Sequence, residues 1–224
     1  TELEETVAAI AAGGERPRGR LRISVPLLFS QTAMGKIAGE FSRAYPEVSL
    51  EVTTEDRPVD MIEEGFDLVI RVNPDPDESL VGRIFLRDRL VVVAPPDFPR
   101  PAAGLPAPAV ISHTGDSTTW QVRLEGAPET IAVRPVLVLS SMIMIRDAVR
   151  SGAGAAKLPL SLVSRDIAEG GLAQWGDVDG PDIALWTLYP SRRLLSARVS
   201  AFLDHLKQAF PHGTPDELAE YVGR

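Results

Sequence analysis

Two strand-to-helix corners in the sequence carry the residues best suited to bind a small anion. In the first, the segment RISVP runs into residues 27–30 (LLFS), and in the second, VLVL runs into residues 140–142 (SSM). The first amide groups of a helix have no partner within the helix and lie at the positive end of its dipole, so they bind carboxylates and phosphates. In an open α/β sheet, ligands bind at the carboxyl ends of the strands. The predicted chemistry is therefore recognition of a small anion, and Arg71 and Val72 end another strand where such a ligand would meet the chain.

The sequence offers little for catalysis or metal binding. Its three histidines, His113, His205 and His212, are far apart and it has no cysteine, so no cluster has the spacing of metal ligands. No G-x-S-x-G elbow, P-loop or G-x-G-x-x-G motif occurs, and the glycine-rich segment 152–159 leads into a strand rather than a helix. The carboxylates of segment 55–64 are dense enough to form a solvated face. We therefore predict no enzymatic activity, no metal and no cofactor.

The charge balance argues against direct binding to nucleic acid. The chain has 23 basic and 31 acidic residues, a net charge of −8. A phosphate backbone repels such a chain unless it carries a basic face, and the alternating arginines of segment 16–22 are better interpreted as a solvated linker. The lack of cysteine and of a leader pattern predicts a cytoplasmic protein. The first residue is Thr1, so we expect the chain to be a fragment.

The elements that would position the first corner alternate between strand and helix. The predicted elements are a strand at 20–26, a helix from about 30 to 45 with Ser30 as its N-cap, a strand at 48–54, a short helix carrying Val59 and Ile62 that ends at Gly65, and a strand at 68–72 buried on both faces. Such alternation is typical of a parallel sheet with helical crossovers.

The second half of the chain repeats this pattern. A proline-rich connection at 95–109 is followed by a second series of strands and helices. The predicted strands are at 109–112, near 120–124 and 130–134, and at 136–139, 154–159 and 182–190, and the predicted helices are at 141–152 and 160–171. A last helix at 194–210 carries one apolar face. The expected fold class is therefore α/β with two similar lobes.

Six segments resemble, in order and spacing, the effector-binding domain of LysR-type transcriptional regulators. They are GRLRISVP, FSRAYPEVSLEV, DRPVDMIEEGFDLVIRV, DESLVGRIFL, SGAGAAKLP and LYPSRRLLSARVSAFLDHL, and the resemblance spans roughly residues 18–211. It implies two Rossmann-like lobes of the type II periplasmic-binding-protein class, joined by two crossover strands. The implied parts are the end of a linker helix and a linker at 1–18, lobe I at 19–92 and 189–212, lobe II at 93–188, and a C-terminal tail at 213–224.

The resemblance also implies a function and its partners. A small effector would bind in the cleft between the lobes, with no membrane involved. Promoter DNA would be bound only through a winged helix-turn-helix that is absent from this chain. The chain would form a homodimer, and a tetramer in the full-length protein, with the helix at about 30–45 antiparallel to the partner's helix at about 141–152.

By position, the resemblance implies a set of residues that contact the effector. They are Pro26, Leu27, Leu28, Phe29, Ser30, Glu55, Arg57, Arg71, Val72, Thr118, Thr119, Trp120, Ser140, Ser141 and Met142. Many relatives place a Ser or Thr where this chain has Leu27 and Leu28, which favours an effector with an apolar or aromatic body. For Phe29 and Trp120 the alternative is simple core packing, for Arg71 a salt bridge, and for the two serines helix capping.

Two other functions share this architecture. A solute-binding protein of a transporter would need a secretory leader, and the linker-like segment 1–12 argues against it. An enzyme on the same scaffold would concentrate acid–base residues in the cleft, and the porphyrin-pathway deaminase of this architecture needs a cysteine that this chain lacks. The sensor is the preferred interpretation.

Overall fold

The computed structural model describes residues 16–102, 104–191 and 194–223. The chain divides into two compact units, of which one comprises the residues up to Arg87 and from Ala184 onward, and the other Asp88–Ile183. Each unit has its own sheet, so the prediction of an α/β fold is confirmed. The expected linker helix and most of the expected linker fall in residues 1–15, which lie outside the described residues.

The sheet of the first unit places three parallel strands side by side. Its order is β2-β1-β3-β11-β4, with β1 at Gly19–Val25, β2 at Val48–Thr54, β3 at Leu68–Val72, β4 at Leu80–Asp88 and β11 at Ile183–Pro190. Strand β1 pairs in parallel with β2 and β3, and β11 pairs antiparallel with β3. The first three residues of β3 are at most 2% exposed, which confirms a strand buried on both faces.

Three helices belong to this unit. Helix α1 follows β1 at once and consists of α-helical Leu27–Phe29, π-helical Ser30–Met34 and α-helical Gly35–Ala44. Helix α4, Ala197–Ala209, packs Phe202 edge-to-face against Phe41 of α1, with ring centroids 5.2 Å apart. The predicted last helix is thereby confirmed in the core of this unit.

Helix α5, Pro215–Gly223, lies in the segment that the resemblance assigns to a C-terminal tail. Thr214 Oγ1 accepts a hydrogen bond from the Glu217 amide at 3.3 Å, and the Glu217 carboxylate accepts one from the Thr214 amide at 3.4 Å. This reciprocal arrangement is a capping box. The helix is held against α1 because the Tyr221 hydroxyl donates to Glu40 at 2.7 Å.

The second unit has a six-stranded sheet with the order β6-β8-β7-β10-β5-β9. Its strands are β5 at Leu90–Ala94, β6 at Ala107–Ile111, β7 at Thr119–Leu124, β8 at Ala127–Val138, β9 at Ala156–Pro159 and β10 at Ala173–Val178, and its helices are α2 at Met142–Arg150 and α3 at Leu160–Ala168. The resemblance places the boundary between lobe I and lobe II after residue 92, whereas the compact units divide after Arg87. Strand β5 belongs to the second unit because it pairs with β9 and β10.

Asp88 is a buried carboxylate at the start of helix α3. It is 5% exposed and accepts hydrogen bonds from the Arg89 amide at 2.8 Å, the Ser161 amide at 3.3 Å and the Ser161 hydroxyl. Burial raises the pKa of Asp88, and the bonds from Ser161 and Arg89 oppose that rise.

Two predictions about secondary structure were wrong. The expected helix around Val59 and Ile62 is a single turn, in which Asp60 Oδ1 accepts from the amides of Ile62 and Glu63 at 3.0 Å each, and Ile62 is 63% exposed. The segments at 130–134 and 136–139 were expected as separate strands, but residues 127–138 form one strand that pairs with β7 first and β6 afterwards. Strand β10 was not predicted.

The described helices include none with the length and apolar character needed to cross a bilayer.

Candidate functional site

The carboxyl ends of β1, β2 and β3 meet at one edge of the first sheet, because these strands are parallel. The chain after β2 is fixed there, since the Glu55 amide donates to the Val25 carbonyl at 2.8 Å. The Leu27 amide donates to Asp56 Oδ1 at 2.8 Å, so a neighbouring loop caps helix α1. The prediction of Ser30 as N-cap was wrong: Ser30 lies inside the helix, and its hydroxyl is 2.7 Å from that of Thr54.

Arg71 places a buried cation at this edge. The residue is 9% exposed, and its guanidinium donates to the Ser24 hydroxyl at 2.8 Å and the Ile70 carbonyl at 2.6 Å. Among the described residues, no carboxylate forms a salt bridge with it within 4.0 Å. Burial lowers the pKa of Arg71, and the more distant carboxylates of Glu55 and Asp56 oppose that shift. The site thus contains a charge whose two hydrogen-bond acceptors are both neutral.

Arg57 has a different environment. Its guanidinium lies 2.9 Å from Glu55 Oε2 and donates to both carboxylate oxygens of Glu64 at 3.1 Å. The Arg57 amide donates to Glu55, and this bond, followed by the charge of the same arginine, lowers the pKa of Glu55. Since Arg57 is compensated by two carboxylates, Arg71 is the more available cation for an anionic ligand.

The apolar candidates of the first unit divide into core and accessible residues. Phe29 is 3% exposed, and its ring packs edge-to-face on Phe85 at 5.7 Å, which is core packing. Leu27 and Leu28 are partly buried, Pro26 is buried, and Val72 is 44% exposed. Accessible apolar surface therefore remains at the edge that holds Arg71.

In the second unit, the predicted residues fall into two groups. Thr118 and Thr119 are exposed at the start of β7, while Trp120, the next residue, is 2% exposed and packs among the apolar side chains of the core. Ser140 is exposed, Ser141 is the N-cap of α2 without a capping bond from its hydroxyl, and Met142 packs against a second apolar cluster.

A serine, a histidine and an aspartate meet in the turn after β6. His113 Nδ1 is 3.0 Å from the Ser112 hydroxyl and its Nε2 is 3.1 Å from Asp116. Asp116 also accepts from Ser112 at 3.4 Å, and the His113 side chain is 70% exposed. In a hydrolase the aspartate orients the histidine and does not bond the serine; the three residues are therefore better described as a surface turn. Across residues 16–102, 104–191 and 194–223, no three His, Cys, Asp or Glu side chains cluster as metal ligands.

The sequence and the fold are both similar to known proteins. The family model for the LysR substrate binding domain matches residues 14–211. The HTH-type transcriptional regulator PtxR of Pseudomonas aeruginosa is 30% identical, with 92% of this chain and 69% of that protein covered. The HTH-type transcriptional regulator DmlR of Escherichia coli is 28% identical, with 92% of this chain and 70% of that protein covered.

Solved structures agree at the level of fold. CrgA, a LysR-type transcriptional regulator from Neisseria meningitidis, superimposes with a TM-score of 0.73 and 24% identity, covering 99% of this chain and 76% of that one. The full-length structure of the Vibrio cholerae virulence activator AphB gives a TM-score of 0.72 and 21% identity, covering 93% of this chain and 76% of that one.

Proposed function

Because this chain belongs to the family of LysR substrate-binding domains, we propose that it senses a small organic acid on behalf of a DNA-binding transcriptional regulator. Its α/β fold is of the type II periplasmic-binding-protein class, as the resemblance implied. The solute-binding alternative is not favoured, since the curated relatives compared are named transcriptional regulators. They are longer than this chain, so we propose that a helix-turn-helix elsewhere in the full protein binds promoter DNA in the cytoplasm.

The buried charge of Arg71 carries the proposal that the effector is an acid. Removing a guanidinium from water costs roughly several kcal/mol unless an opposite charge compensates it. The described acceptors of Arg71 are a hydroxyl and a carbonyl, both neutral. A carboxylate matches the planar donor pattern of an arginine and would supply the missing charge.

The surroundings of Arg71 favour an effector with an apolar or aromatic body. Leu27 and Leu28, partly buried, follow β1, and the exposed Val72 ends the neighbouring β3. Of the other candidates, Thr118, Thr119 and the serines before α2 remain predicted contacts from the family resemblance. Ligand binding is tested separately in the two units, with variants of Arg71 in the first and of Lys157 in the second.

A matched pair of compounds tests the effector class. Benzoate and benzamide have the same ring and nearly the same shape, but only benzoate carries a charge at neutral pH. Thermal unfolding of the 224-residue chain should shift upward with benzoate or with related aromatic and aliphatic acids, and not with their amides. A ligand at 100 times its dissociation constant adds about 2.7 kcal/mol to the free energy of unfolding. A panel in which amides stabilise the protein as well as acids do would contradict the role of Arg71.

The link to transcription needs a separate measurement. The full-length regulator should change its affinity for, or its footprint on, promoter DNA when the acid that stabilises the domain is added, because an effector shifts a population only if it prefers one state. An acid that binds the domain and leaves DNA binding unchanged would contradict the sensor function.

We also propose that the chain forms a homodimer through α1 and α2. On α1, a Cβ added at Gly35 or Gly39 would meet nothing within 4 Å, so this face is open to a close neighbour. Beside α2, the last residues of β8 pair only with β6, and Val136, Leu137 and Val138 are 39–47% exposed. Exposed apolar residues on an unpaired strand edge are typical of an association surface.

Light scattering of single variants tests the dimer. Gly39→Glu adds a charge to the open face of α1 and Val136→Asp adds one to the β8 edge; each should lower the measured mass from dimer to monomer. Glu125→Lys, in the turn between β7 and β8, is the control and should leave the mass unchanged. If both variants remain dimeric, the association surface lies elsewhere.

A further inference from the structure

The indole of Trp120 has an unused hydrogen-bond donor within the second unit. The residue is 2% exposed, and its Nε1–H has no hydrogen-bond partner among the described residues. Buried donors of this kind are nearly always paired, because leaving one unpaired is destabilising. Packing in the apolar cluster explains the position of the ring and leaves its N–H unexplained.

Lys157 places a positive charge over the ring of Trp120. It lies in the middle of β9 between Ala156 and Leu158, which are both fully buried, and it is itself partly buried. Its Nζ is 5.6 Å from the centroid of the Trp120 ring. No carboxylate in residues 16–102, 104–191 or 194–223 forms a salt bridge with Lys157, although the chain carries eight more acidic than basic residues.

We propose that Lys157 and Trp120 form an anion-binding element of the second unit, and that its ligand is the carboxylate of a small organic acid. This inference rests on the proposed function and gives the second unit an anion-binding element of its own, which takes a different carboxylate from the one that Arg71 binds in the first unit. A carboxylate has two oxygens, so one accepts from the ammonium while the other accepts from the indole N–H, and both donors are then satisfied. The positive charge over the ring is also attracted by the π-system, which holds Lys157 in place before the ligand arrives.

A purely structural role predicts different behaviour. If Lys157 only packs over the indole, methionine can replace its aliphatic stem, and the loss of charge changes stability slightly and ligand affinity not at all. If it binds an anion, the charge itself is required, and arginine but not methionine should preserve binding. The variants Lys157→Met and Lys157→Arg therefore separate the two roles.

Nuclear magnetic resonance gives a local measurement. The chain has three tryptophans, so a ¹⁵N-labelled sample shows three indole N–H signals, and Trp120→Phe identifies the one that belongs to Trp120. Titration with benzoate should move this signal, and titration with benzamide should leave it in place. Lys157→Met should weaken benzoate binding, followed at the Trp120 signal, by about 10-fold, in line with the loss of one charge-assisted hydrogen bond. Lys157→Arg keeps a charged donor and should stay within about 3-fold of the parent chain.

The same samples, examined by thermal unfolding, distinguish failure of this inference from failure of the proposed function. If benzoate or a related acid stabilises the protein, but the Trp120 signal does not respond and Lys157→Met binds as tightly as the parent, the inference is wrong and the acid-sensing function stands. If no acid in the panel stabilises the protein or moves any indole signal, both are wrong.

Discussion

Replacing Arg71 with methionine should weaken binding of the acid but leave the stability of the ligand-free protein nearly unchanged or higher. The variant loses the bonds to Ser24 and Ile70, at about 1 kcal/mol each. It also removes a buried charge that lacks a described counter-ion, and apolar replacements of buried ionic groups are often neutral or stabilising by about 1–4 kcal/mol. Because these effects offset each other, we expect the free energy of unfolding without ligand to stay within about 1 kcal/mol of the parent value or to rise.

Binding of the acid should weaken strongly. Truncating one partner of a buried, hydrogen-bonded charge pair costs about 2–5 kcal/mol, so the dissociation constant should rise by about 30-fold or more. At an acid concentration of 100 times the parent dissociation constant, the parent gains about 2.7 kcal/mol of stability. For a 30-fold weaker variant the same concentration is only about 3 times its dissociation constant, and the gain falls to about 0.9 kcal/mol.

Thermal unfolding with and without benzoate, together with calorimetric titration, measures both quantities. Arg87→Met is the control, because Arg87 is exposed and belongs to the same unit, and the substitution makes the same change in net charge. It should keep the full ligand-induced gain. An Arg71→Met variant that retains the parent affinity would refute the placement of the site, and one that loses about 3 kcal/mol without ligand would show that Arg71 is structural.

Two further predictions concern stability alone. Burial raises the pKa of Asp88 above its ordinary value of 3.8. The contribution of Asp88 to the free energy of unfolding is therefore fully present below pH 3.8 and is lost as the pH rises through the raised pKa. In chemical unfolding, the stability difference between the parent and Asp88→Asn should shrink from pH 4 to pH 7, and a constant difference would contradict the burial argument. Gly154 has a φ of 155°, and an added Cβ would lie 2.5 Å from the Pro108 carbonyl oxygen, so Gly154→Ala should cost about 2 kcal/mol or more. Its control is Gly180→Ala, because Gly180 has a similar φ of 147° and an added Cβ there would meet nothing within 4 Å. The control should cost at least about 1 kcal/mol less than Gly154→Ala, since it adds backbone strain without the clash, and equal effects of the two would refute the steric reasoning.

Local patterns predicted the framework of the first unit well. The run of apolar residues in β3 predicts a strand that is buried on both faces. Gly65 has a φ of 71°, the positive value expected at the end of a helical turn. The segment between β2 and β3 carried a helix pattern but forms one turn, since the Asp60 side chain caps it and the chain must reach β3 within a few residues of Gly65. Periodicity over so short a segment does not determine which structure forms.

Other elements were missed for specific reasons. Strand β10 contains Gly176 with a φ of 141°, where the pairing with β5 shifts register, so the alternation that indicates a strand is interrupted. Helix α5 could have been predicted, because Thr214 and Glu217 have the spacing of a capping box with Pro215 at the first helical position.

The candidate site was less accessible to sequence reasoning than the fold. The family resemblance predicted which residues contact the effector, but whether a side chain is available to bind an anion depends on its contacts in the folded protein. Glu55 and Glu64 compensate the charge of Arg57, whereas Arg71 has only neutral hydrogen-bond acceptors. Lys157 was missed, although a single lysine in an otherwise apolar strand was a visible signal. Only the structure shows that its ammonium lies over the ring of Trp120.

The strand order of the first unit has a consequence for synthesis on the ribosome. Strand β11 lies between β3 and β4 in the sheet, but residues 89–182, all of which belong to the second unit, separate it from β4 in the chain. The emerging chain therefore carries an incomplete first sheet, with the edges of β3 and β4 unpaired, until the second unit has left the exit tunnel. The second unit is continuous and can fold as soon as it emerges, so we expect it to acquire protease resistance first in stalled nascent chains.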